Sequence, residues 1–166
     1  LIHWKAFARQ GELLTRKPLP DPKPEQHIFL DFDLPVLEEA EYLSRFDLLA
    51  ESTLAIADFY LRTKTPCNVY AGVSGMQRFQ LYSQKDFDLL YSFFCETERI
   101  SGLSAAKLLT GFSYNNIVNT KCIIITTKPK PELAAACTAL LDNGNHIAVL
   151  CLCKSELHAF IPFISE

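Results

Sequence analysis

His27-Ile28-Phe29-Leu30-Asp31-Phe32-Asp33-Leu34-Pro35 sets the architecture of this chain. A short apolar run closed by an acid reads as a buried parallel strand over His27 to Asp31, because a strand covered on both faces loses the alternation of a half-exposed one. Residues 34–44 read as a loop or short helix. From Arg45 to Lys64, Phe46, Leu49, Thr53, Ile56, Ala57, Tyr60 and Leu61 recur at spacings of three and four, one face of a helix, which Pro66 then bars from continuing. Asn68 to Ala71 predicts a second strand. Gly72 and Gly75 mark a turn, and Gln77 to Tyr82 predicts a third strand antiparallel to the second.

Further along, Phe87, Leu90, Tyr91 and Phe94 predict another helix, and Ser104 to Leu109 a short one. Lys121 to Thr127, with three successive isoleucines, is the clearest strand. Pro131 opens the next helix and Gly144 sits just past its end, the usual proline-first, glycine-last asymmetry. Ile147 to Leu152 is the last strand. This alternation predicts an α/β fold, a doubly wound, mostly parallel sheet with helices on both faces. Ligands of such sheets bind beyond the carboxyl ends of the strands. That singles out Asp31 to Pro35, Thr126 to Lys130 and the loop near Ser101.

A length of 166 residues suits one domain with a core of its own. The formal charge of -3 gives no field to gather nucleic acid. Cys67, Cys95, Cys122, Cys137, Cys151 and Cys153 form no CxxC pair and mostly lie in apolar runs, the pattern of core thiols in a reducing compartment. No apolar run approaches the ~18 residues of a membrane span. Residues 1–17 form a basic, apolar arm, and Pro18-Leu19-Pro20-Asp21-Pro22-Lys23-Pro24 reads as an extended linker. The expected division is an arm and linker over 1–24 and a domain over 25–166. A chain that opens on Leu1 inside an ordered-looking segment is expected to be an excised piece of a longer protein.

The acid at the end of the first strand resembles the metal site of the von Willebrand factor type A-like fold. That family uses Asp-x-Ser-x-Ser after the first strand, a threonine from a second loop, and an aspartate after the fourth strand. Asp31 keeps the first position, Asp33 replaces the first serine, and Pro35 replaces the second with no side-chain oxygen. Thr126-Thr127-Lys128 stands where the family has Thr-Asp-Gly, so the aspartate is gone and a cation stands beside the gap; Ser101 or Ser104 could stand in for the threonine. The resemblance therefore implies a degenerate metal site at which no metal is expected, with Asp31 and Asp33 as the residual candidates for magnesium.

The arm narrows the likeness. Ile2-His3-Trp4-Lys5-Ala6-Phe7-Ala8-Arg9 resembles the segment before the A-like domain in the family called domain of unknown function 58, with His3, Trp4, Lys5, Ala8 and Arg9 as matching positions. The resemblance implies a parent anchored by amino-terminal membrane helices, a place at the cytoplasmic face of the membrane, and association with a MoxR-type AAA+ ATPase. It implies no catalytic activity, so the expected role is protein binding. Asp31 and Asp33 also resemble the Asp-x-Asp of haloacid dehalogenase-like phosphatases, with Thr126 or Thr127 and Lys128 or Lys130 as further members; Lys154-Ser155-Glu156 supplies only one acid of their metal pair.

Structural roles compete at each position. Asp31 and Asp33 can bind backbone amides of the following loop, or form an ion pair with Lys128. His3 and Trp4 can pack the arm, and Arg9 can pin it to a carboxylate. Cys151 and Cys153, on one strand face, together with His158, read as core rather than as metal ligands. Lys121, Lys128 and Lys130 make a small basic rim near the binding edge.

Overall fold

The computed structural model describes residues 25–34, 38–73, 75–97, 102–113 and 120–152. The arm with His3, Trp4, Lys5, Ala8 and Arg9, together with Pro35, Ser101, Cys153, Lys154 to Glu156 and His158, lies outside those residues.

The first strand, β1 (Gln26–Leu30), is buried along its whole length. It pairs in parallel with β2 (Cys67–Gly72) on one side and β4 (Lys121–Thr126) on the other, which is why its sequence is continuously apolar. β3 (Met76–Leu81) runs antiparallel beside β2, and β5 (His146–Cys151) runs parallel beside β4. The order β3-β2-β1-β4-β5 is that of a doubly wound sheet, in which the chain first moves out from β1 in one direction and later in the other.

Helices α1 (Glu39–Arg62) and α2 (Gln84–Glu96) cover one face; α3 (Ala105–Ser113) and α4 (Pro131–Asp142) cover the other. Side-chain alternation divides the core accordingly. Ile28 and Leu30 join Leu49 and Phe46 under α1, while Phe29 joins Tyr70, Phe112 and Ile124 under α3 and α4. α1 begins at Glu39 rather than at Arg45, because the buried Tyr42 extends its apolar stripe one turn upstream of Phe46. Glu39 and Glu41 then occupy a first turn whose backbone amides favour negative charge. α2 starts with a capping box in which Asp86 accepts from the Ser83 backbone amide at 2.8 Å. Pro131 is the first residue of α4, and Gly144 follows its end with φ 76°, a left-handed conformation that glycine adopts at little cost.

Of the cysteines described, Cys67, Cys122 and Cys137 are buried, Cys151 is half-buried and Cys95 is exposed, all as free thiols. Burial pushes the Cys67 thiol up to about 12 and Cys137 to about 11, so both stay protonated and serve as packing.

A polar side chain, His27, is enclosed in the core beneath α3. His27 lies beside Phe112, with ring centroids 4.9 Å apart, and its Nδ1 is 3.1 Å from the Tyr70 hydroxyl. Burial lowers its pKa below 6.5; Glu25 opposes this and Arg78 adds to it. The unfolded chain therefore takes up the proton more readily. His27 stabilises the fold fully above its unfolded pKa of about 6.5, and that contribution is lost as pH falls toward the lowered folded value. Urea midpoints measured near pH 7.5 and near pH 5 are expected to fall with acidification in the native chain, and to fall less in His27→Gln.

Candidate functional site

β1 and β4 end side by side at the point where the winding of the sheet reverses. There the Asp31 amide donates to the Ile125 carbonyl at 3.0 Å and carries β1's pairing one residue further. The Asp31 side chain lies on the α3 side and is only 5% exposed. Its Oδ2 accepts from the Thr126 hydroxyl at 2.7 Å, and its Oδ1 accepts from the Ala105 amide at 3.1 Å and the Asp33 amide at 3.4 Å. The carboxylate thus ties β1, β4 and the first turn of α3 together. Burial raises its pKa, and the hydrogen bonds from Thr126, Ala105 and Asp33 hold it back.

The route into α3 requires two glycines. Gly102 donates to the Phe32 carbonyl at 3.2 Å and Leu103 to the Gly72 carbonyl at 2.6 Å, so residues 102–103 are drawn down onto the ends of β1 and β2. A Cβ on Gly102 would sit 2.4 Å from the Gly72 carbonyl oxygen and 2.4 Å from Phe32 Cβ, and a Cβ on Gly72 would sit 2.6 Å from Leu103 Cβ. Neither position has room for a side chain without moving the loop that presents Ala105 to Asp31.

Beside this junction, a cleft of about 620 Å³ opens between α3 and α4. Asp31 and Asp33 stand at its sheet end; Ser104, Lys107, Thr110 and Gly111 form the α3 wall, and Lys130, Glu132 and Leu133 the α4 wall. Lys130 pairs with Asp33 across the cleft mouth, both side chains being partly exposed (38% and 37%).

Of the residues singled out from the sequence, Asp31, Asp33 and Thr126 converge here. Thr127 is adjacent and buried, at 3% exposure. Lys128 is exposed, and its backbone amide donates to the Thr126 hydroxyl at 3.1 Å. The cation that meets Asp33 is Lys130 rather than Lys128. Lys121 begins β4 at the opposite end of the strand, away from the cleft. Lys107, Thr110 and Glu132 line the cleft without any motif that would have marked them; their helical register and a Pro131 helix start were the only available signals.

The donor set tests for magnesium. Both Asp31 oxygens and the Thr126 hydroxyl are committed to protein partners, and Asp33 is paired with an ammonium group. Among the described residues, no three His, Cys, Asp or Glu side chains gather as a metal-holding group. These residues do not fit the near-octahedral oxygen shell that magnesium demands.

No protein-family model matches the chain, and no curated protein matches it.

The raised pKa sets the sign of Asp31's contribution. Its stabilisation is full below the unfolded value of 3.8 and is lost as pH rises through the raised folded value, so the neutral-pH charge is tolerated rather than required. Asp31→Asn keeps an acceptor for Ala105 and Asp33, and the Thr126 hydroxyl can turn to accept from the new amide. Asp31→Ala leaves the buried Thr126 hydroxyl proton and the Ala105 amide without their acceptor. Urea denaturation is expected to show a loss of roughly 2–5 kcal/mol for Asp31→Ala and much less for Asp31→Asn.

Proposed function

We propose that this chain is a non-catalytic protein-binding module whose recognition surface is the cleft between α3 and α4, at a metal site that has become degenerate. The observation that carries this reading is the buried Asp31, with every oxygen engaged by β4, α3 and its own loop. The acid that would be either nucleophile or metal ligand is a structural tie. Beside Asp33, the Lys130 ammonium supplies the positive charge that a bound cation would supply. Recognition then depends on the shape of the cleft and on the charges at its mouth, which set partner specificity and encounter rate more than affinity.

The resemblance carried by His3, Trp4, Lys5 and Arg9 supports a partner of the MoxR-type AAA+ ATPase class, met at the cytoplasmic face of a membrane. Among the described residues, no helix is long and apolar enough to cross a membrane. On this reading the domain meets its partner through the cleft, and any anchoring comes from elsewhere in the parent protein.

Calorimetric titration with magnesium and manganese tests the reading. No binding heat is expected with either ion, and no turnover of p-nitrophenyl phosphate in their presence. A photo-crosslinking residue at Thr110 is expected to join the domain to a purified MoxR-type ATPase. Metal heat that vanishes in Asp31→Asn would overturn the proposal, and phosphate release lost in that variant would establish the phosphatase reading in its place.

A further inference from the structure

The opposite face of the sheet presents a different surface. α1 carries Glu39, Glu41, Asp47, Glu51 and Asp58 against Arg45 and Arg62. Two of these acids are met by the helix's own arginines, Glu41 by Arg45 at 2.9 Å and Asp58 by Arg62 at 2.8 Å. Asp47 and Glu51, one turn apart and exposed, have no basic partner among the described residues. They rim a groove of about 350 Å³ between α1 and α2, floored by Phe46, Leu54 and Phe94 and walled by Tyr91. On their other flank lie Leu43 and Leu48, 50% and 41% exposed. Apolar floor and acidic rim together suit a segment that brings cations and large apolar side chains at once.

The chain holds such a segment. Residues 1–17 carry Lys5, Arg9, Arg16 and Lys17 against Glu12 alone, with Trp4, Phe7, Leu13 and Leu14 between them, in a protein whose formal charge is -3. Its distance from the groove is also right. The start of β1 sits at the foot of α1, where the Tyr60 hydroxyl donates to Gln26 Oε1 at 3.4 Å. At 1.5 Å per helical residue, Leu54 lies about 9 Å and Asp47 about 20 Å up the helix from Tyr60. Residues 18–24, rich in proline, span about 22 Å when extended.

We propose that the basic arm, residues 1–17, is the occupant of the groove between α1 and α2, its cations meeting Asp47 and Glu51.

Trp4 is the single tryptophan of the chain, so intrinsic fluorescence reports on the arm alone. In the full chain, Trp4 emission is expected to be blue-shifted relative to the urea-unfolded protein and protected from acrylamide. The charge-reversed variant Asp47→Lys/Glu51→Lys is expected to shift the emission to the red and lose that protection, with its helical circular dichroism retained. Lys5→Glu/Arg9→Glu is expected to do the same, and the four changes combined to restore the wild-type spectrum. Salt at about 1 M, where the screening length falls to about 3 Å, is expected to move the wild type toward the variants. Wild-type emission already matching the unfolded chain would overturn the proposal and leave the groove to a partner's basic segment. Emission and quenching unchanged in both charge-reversed variants would overturn it as well, placing Trp4 elsewhere.

Discussion

The Asp31 carboxylate holds together parts of the chain that are far apart in sequence. Its hydrogen bonds reach Ala105 and Thr126 across separations of 74 and 95 residues. A buried carboxylate is costly unless its lone pairs are satisfied, and here three donors from three segments satisfy them. Loss of any one donor would leave charge in a low-dielectric interior. The reversal point of the sheet is therefore fixed by one side chain, and the loop that brings α3 to it is held down at Gly72 and Gly102, where no side chain fits. The position, depth and walls of the cleft all follow from that junction.

An acid at the end of a central parallel strand is where chemistry is ordinarily sought, and burial separates the two acids here into different roles. Asp31 is withdrawn into the frame. Asp33, two residues further, is partly exposed and meets Lys130 at the cleft mouth. An ion pair that exposed contributes little to stability because water and salt screen it. Its value in the proposed function lies in orientation and selectivity, since a partner can compete for either member without unfolding the edge. The acidic groove on the far side, beside α1 and α2, gives the domain a second surface.

Much of the fold was legible in local pattern. The apolar runs at Ile28 to Leu30 and at Ile123 to Ile125 are uninterrupted because both strands are covered on two faces, and the three-and-four spacing from Phe46 to Leu61 follows from one buried helix face. Asp31 and Thr126 were legible as strand-end polar residues. What local pattern could not carry was pairing across long separations. The match of Asp33 with Lys130 spans 97 residues and depends on how the chain returns after β4, so Lys128, nearer the strand, looked the better partner. Lys107 and Thr110 became cleft residues only through the angle at which α3 leaves its glycine-pinned loop. The early start of α1 was hidden because Tyr42 is the one buried residue of its first turn and a half, and Leu43 beside it faces solvent.

The role of Asp31 can be read from its own carboxyl carbon by nuclear magnetic resonance, followed over a pH titration with and without magnesium. A structural tie predicts a resonance that does not move when magnesium is added. A magnesium-induced shift at Asp31 would contradict the account and return this carboxylate to a metal site.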